Sequence, residues 1–187
     1  MKRLLLVAAL LGLAACHFGE PLLPEPNADR DPRLLGVWHN PDSPDDVLTI
    51  TADGAKRYRF AYDSGNKDPA AEYGQGKVNL AAYHADLPSG VRLLCVELKD
   101  AKAKALGLPP WLILGYAFDA EGGLTLRMLD EAALPEPHAE SGYTKIPRKT
   151  VWEHLLKQTA TPEGRARLFD PSSDLGPLTR KAARPAP

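Results

Sequence analysis

Catalytic or metal chemistry in this chain would have to draw on 5 His, 2 Cys and 24 Asp+Glu side chains. His17, His39, His84, His138 and His154 include no pair spaced to set two imidazoles on one helical face, and Cys16 and Cys95 do not make the paired thiolates of a zinc site. Asp42, Asp45 and Asp46 crowd one turn but lack the alternating register and turn glycine of a calcium loop, so they read as solvated turn residues. Gly74-Gln75-Gly76 and Gly122-Gly123 open no helix and so make no phosphate cradle. Ser64 and Ser89 have no strand–turn–helix context that would expose a nucleophile. Glu153 and His154 sit beside the apolar Trp152, Leu155 and Leu156 and are expected to face solvent. Cys95 lies within Leu93-Leu94-Cys95-Val96, where a buried thiol acts as a small hydrophobe. The expectation is therefore no catalytic residue, no metal ligand and no cofactor: a protein that is not an enzyme.

The N-terminus carries the strongest pattern. Met1-Lys2-Arg3 is a basic start, and Leu4 to Leu13 is apolar but for Gly12, which is enough for a secretory signal's core. A bilayer span takes about 20 apolar residues. The run ends in Leu13-Ala14-Ala15-Cys16, which resembles the lipobox of bacterial lipoproteins: an aliphatic residue, two small residues and the cysteine that is acylated. The resemblance implies a signal peptide over 1–15, cleavage before Cys16, and palmitate-type acyl chains on its sulfur and new amino group. His17 rather than Asp follows the cysteine, which in such lipoproteins points to the outer membrane, with the protein facing the periplasm. Acylation would leave Cys95 as the one thiol in an oxidising compartment.

At 187 residues and 25% charged, the chain suits one globular domain at roughly 100–200 residues per domain. Losing Lys2 and Arg3 leaves 21 basic against 24 acidic side chains, net −3, so no nucleic-acid partner is expected. Residues 16–31, with Pro21, Pro24 and Pro26, read as a lipidated cysteine and an extended tether reaching about 45 Å. Residues 32–169 read as the β-rich domain with C-terminal helices, and 170–187, with four prolines, as a disordered tail.

Within the domain, Val47–Thr51 leads to the hairpin signal Asp53-Gly54, and residues 57–62 alternate so that Tyr58, Phe60 and Tyr62 share a face. Strands follow at Val78–His84, Val91–Leu98, Trp111–Phe118 and Leu124–Leu129, with Leu34–Trp38 a further candidate. Asp100–Gly107 reads as a short helix. Thr150 and Glu153 stand in capping-box register ahead of a helix to about Thr159, and Thr161-Pro162-Glu163 opens another. The fold class is mainly β (α+β): an antiparallel sheet or small barrel of six to eight strands, with the helix of Trp152, Leu155 and Leu156 packed on it.

Gly36-Val37-Trp38 just before the first long strand resembles the Gly-x-Trp motif of lipocalins. That likeness implies a barrel whose Trp38 packs across a closed end, with Gly36 letting the chain pass close beneath. The family's arginine partner could be Arg127. It also implies binding of a small hydrophobic ligand. The alternative is a protein-binding envelope lipoprotein, an inhibitor or immunity protein against a periplasmic hydrolase. A ligand binder needs an interior with room, and an inhibitor a filled core with its function in the loops.

Overall fold

The computed structural model describes residues 17–63, 65, 77–98, 110–130, 133–134, 147–169 and 174–180. The expected signal peptide over 1–15, Cys16 and the expected Asp100–Gly107 helix lie outside them. Nine strands form one antiparallel sheet: β1 His17–Phe18, β2 Gly36–Asn40, β3 Ser43–Asp53, β4 Arg57–Asp63, β5 Lys77–His84, β6 Leu93–Glu97, β7 Trp111–Phe118, β8 Leu124–Met128 and β9 Leu175–Arg180. β2 to β9 pair in sequence order and β9 returns to β2, closing an eight-stranded barrel of the lipocalin-like kind. Helices α1 Arg148–Gln158 and α2 Pro162–Ala166 lie in the connection between β8 and β9.

Period-2 alternation sets the interior. Tyr58, Phe60 and Tyr62 are all buried, and their cross-strand partners Ala82, Leu80 and Val78 point the same way. Arg57, Arg59 and Ala61 take the outer face. On β6 and β7 the pattern differs: Leu93 to Val96 and Leu112 to Leu114 are buried without interruption, so both faces of the sheet are covered there. Inside are Leu94, Val96, Leu112 and Leu114, and outside are Leu93, Cys95 and Ile113.

The barrel has two unlike ends. At the base the links are short: Gly54-Ala55-Lys56, residues 85–92 and residues 119–123, with a 3-10 turn Pro32–Leu34 leading into β2. At the rim lie the Pro41-Asp42 turn and three long connections, β4–β5, β6–β7 and β8–β9.

Three expectations fail against this architecture. Within the expected tail 170–187, the described residues 174–180 are not free, because Leu175–Arg180 is the strand that closes the ring, with Leu175 and Leu178 buried. β2 and β8 would otherwise be two open edges with unpaired amides. Residues 17–31 are not an extended tether standing clear of the domain. His17 and Phe18 pair with Leu112 and Trp111, Leu22 is buried, and the Tyr83 hydroxyl donates to the Leu23 carbonyl. Apolar Phe18, Leu22 and Leu23 gain more from covering the outer face of β5–β7 than the prolines gain from extension. This strap runs down the barrel from rim to base. Thr150 is no helix cap: α1 begins at Arg148 after Pro147, and no side chain caps it. The fixed φ of Pro147 already suits a helix start. Thr161 does cap α2, its side-chain oxygen accepting from Gly164 N at 3.0 Å.

α1 meets the core through fully buried Val151 and Leu155, with Trp152 and Leu156 half-buried beside them. Phe169, after α2, lies on the outer face of β7 where Gly115 leaves room. A β-carbon at Gly115 would stand 2.3 Å from the ring. Among the described residues no helix is long and apolar enough to cross a membrane.

Candidate functional site

The base is sealed by Trp38. It is fully buried, its indole Nε1 donates to the Leu34 carbonyl at 2.9 Å, and its ring lies 6.1 Å from that of Phe118. The guanidinium of Arg180 covers the other face at 4.7 Å and donates to the Arg33 carbonyl. Gly36 is needed here for its backbone, since its φ of +148° is one that L side chains rarely adopt; a β-carbon would make only ordinary contact with Arg180 at 3.4 Å. Gly36 and Trp38 are thus both neighbours of Arg180 on β9, and Arg127 does not reach them. Arg127 faces outward, 3.7 Å from Asp174 and 6.0 Å from the Phe169 ring.

A chain of polar groups crosses the same end. The amide of Asp31 donates to the Tyr58 hydroxyl oxygen at 2.5 Å. The same hydroxyl is hydrogen-bonded to His84 Nε2 at 2.8 Å, and His84 Nδ1 is hydrogen-bonded to Asp86 Oδ1 at 2.8 Å. Asp86 also accepts from Arg92 Nε at 3.0 Å, and Arg92 Nη1 reaches Asp31 at 2.7 Å. Asp31 takes further bonds from Arg33 and from the Tyr116 hydroxyl. Burial by itself raises the Asp31 carboxyl, but the hydrogen bonds and charge of Arg33, with Arg92 beside it, hold it at about 2. Asp86 is likewise raised by burial and brought below its ordinary value by His84 and Arg92. Burial pushes Tyr58 up to about 12.

Tyr58, His84 and Asp86 have the order of a proton relay. Tyr58 and His84 are nonetheless fully buried, and every ring nitrogen and hydroxyl in the chain is bonded within the protein. No reacting atom could reach them. What the arrangement does is fasten the strap, through Asp31 and Asn27, to β4, β5 and the β5–β6 link. Asn27 adds two bonds to Asp86, at 2.7 and 2.8 Å.

Among the described residues, those facing the other half of the interior are mostly apolar. Leu48, Val96, Leu112 and Met128 are buried there and Val78 is half-buried. The exception is Asp46, buried and hydrogen-bonded to Tyr62, whose phenol is pushed up by burial and by that carboxylate. Cys95, buried as expected, lies outside the barrel wall beneath the strap. Burial raises its thiol to about 11.

Trp152, the third residue singled out in the sequence, stands on α1 away from the base, and Cys16 is outside the described residues. Asp31, His84, Asp86 and Arg92 went unnoticed because the residues that meet at the base come from four separate parts of the chain. Among the described residues no group of three or more His, Cys, Asp or Glu could hold a metal ion. Comparison with family models, with curated proteins and with solved structures found no match.

Proposed function

We propose that the protein is an outer-membrane lipoprotein, held by acylated Cys16 and facing the periplasm, whose barrel takes a small hydrophobic ligand without catalysing a reaction. The observation that carries this reading is the asymmetry of the interior. The base is stopped by Trp38, Arg180 and the Asp31–Tyr58–His84 chain, while the inward side chains toward the rim are apolar. A ligand would enter at the rim and rest on Leu112, Val96 and Val78, with Asp46 and Tyr62 as the polar groups fixing its orientation. The test is titration of the Cys16→Ala protein with cis-parinaric acid. Saturable one-to-one binding is expected, weakened at least tenfold by Val78→Trp. Absence of saturable binding to the folded protein overturns the reading.

The second reading, an inhibitor or immunity protein against a periplasmic hydrolase, is favoured by the large inward aromatics Trp38, Tyr58, Phe60 and Tyr62, which fill much of the interior. Retention of a hydrolase from envelope extract, together with no ligand binding, would select it.

A further inference from the structure

Asp42, Asp45 and Asp46 crowd the rim turn, but they are not all the solvated residues expected from the sequence. Asp42 and Asp45 are exposed, whereas Asp46 is only 5% exposed. A break in the β2–β3 ladder puts it there. His39 pairs with Val47 and Asn40 with Ser43, so residues 44–46 are extra on β3, and the ladder with β4 ends at Val47–Asp63. Bulges recur at barrel rims, where they re-aim a side chain. This one is braced by Gly65, at φ +59°: a β-carbon there would stand 2.6 Å from Asp45 Cβ and 2.7 Å from the Asp45 carbonyl oxygen. Asp46 keeps the inward phase of Leu48 and Ile50, diagonally across from Tyr62, the register partner of Leu48.

The chemistry of this pair is one-sided. Tyr62 donates its single proton to the Asp46 carboxylate, and burial together with that charge keeps the phenol protonated. A ligand therefore meets lone pairs and no donor: the phenol oxygen, and a carboxylate with about four acceptor sites of which Tyr62 takes one. Leu48 and Val78 flank Tyr62 across the sheet, and Val96, Leu112 and Met128 share this half of the interior. In such apolar surroundings charges act on each other more strongly than in water.

We infer that the barrel selects an amphiphile whose head donates a hydrogen bond and carries no negative charge, an alcohol or an ammonium, and that Asp46 disfavours carboxylate heads such as those of fatty acids. This rests on the ligand-binding reading above and narrows it. An apolar wall grips tails of any head alike. Asp46 adds a like-charge repulsion against anions, and the unmet acceptors count against heads with no proton to give.

The test compares cis-parinaric acid with its alcohol and its methyl ester, which share one fluorescent tail, by titration of the Cys16→Ala protein at neutral pH. All three should saturate, with the alcohol tightest, the ester weaker, and the acid weaker than the alcohol by at least about tenfold. Asp46→Asn keeps the size of the side chain, removes its charge and adds a donor, so in the folded variant the preference for alcohol over acid should vanish or reverse. Equal or tighter binding of the acid by the parent protein overturns the inference and leaves the hydrophobic-ligand reading standing. A preference that survives Asp46→Asn unchanged does the same. Failure of saturable binding altogether overturns both. The three-ligand comparison on the parent protein decides the matter even where Asp46→Asn does not fold.

Discussion

Replacing Asp31 with Asn keeps the shape of the side chain that joins strap to base and removes its charge. The wild-type carboxyl, at about 2 rather than 3.8, is ionised in a setting that favours the charged form, with side-chain exposure of only 3%. At about 1.4 kcal/mol per pH unit, this contributes roughly 2 kcal/mol of stability at neutral pH. A folded-state value below the unfolded one means the contribution is fully present above about pH 4. It is lost as pH falls through that range toward 2. Urea unfolding of wild type and Asp31→Asn, both carrying Cys16→Ala, should differ by roughly 2 kcal/mol at pH 7. That is a midpoint shift of about 1 M at an m-value near 2 kcal/mol/M. The gap should hold at pH 5, narrow at pH 3.5 and nearly close by pH 2. A gap that stays constant across this range, or lies below 0.5 kcal/mol at pH 7, would refute the assignment of Asp31 as a charged fastener of the strap.

Ending the chain after Asp170 removes β9 and with it Arg180, so the truncated protein should show no cooperative melting transition; a melting curve within a few degrees of wild type would contradict the closed ring. Native Cys95 should react with a maleimide only as the strap lifts, and Phe18→Ala or Leu22→Ala should speed labelling at least tenfold while leaving the folded spectrum intact; unchanged rates would place the path to Cys95 elsewhere. Gly115→Ala sets a β-carbon against the Phe169 ring, and roughly 1–3 kcal/mol of destabilisation is expected from the overpacking. Phe169→Ala in the same chain should relieve part of it in a double-mutant cycle.

How much of this was readable in the sequence depends on how local each signal was. Trp111–Phe118 is a strand over just those residues because an apolar run is bounded by Pro109-Pro110 on one side and Gly122-Gly123 on the other. The alternation of Tyr58, Phe60 and Tyr62 gave the inward face of β4 directly. β9 was illegible: Leu-Gly-Pro-Leu-Thr-Arg has two apolar residues and a proline, and its place is set by the unpaired edges of β2 and β8. Arg180 was lost with it, so the arginine over Trp38 was sought on the wrong strand. The strap left a signal that went unused. Leu93 to Val96 is apolar on both faces, and a strand of that kind needs something covering its outside. The base network has no local signature, since Asp31, Tyr58, His84 and Arg92 are brought together by the closing of the ring.

The strand that closes the ring is also the last in chain order among the described strands. His39 and Thr179 are register partners 140 positions apart. During synthesis β2, and later β8, therefore wait with bare edges until β9 is available. Pairings between such distant residues form late in folding, and a bare edge is a template for joining another molecule. A chain interrupted between β8 and residue 175 keeps both edges, however much of the core it has packed. Closure of the ring is thus written into solubility: only a molecule in which β9 has been made and docked hides the edges of β2 and β8 from its neighbours.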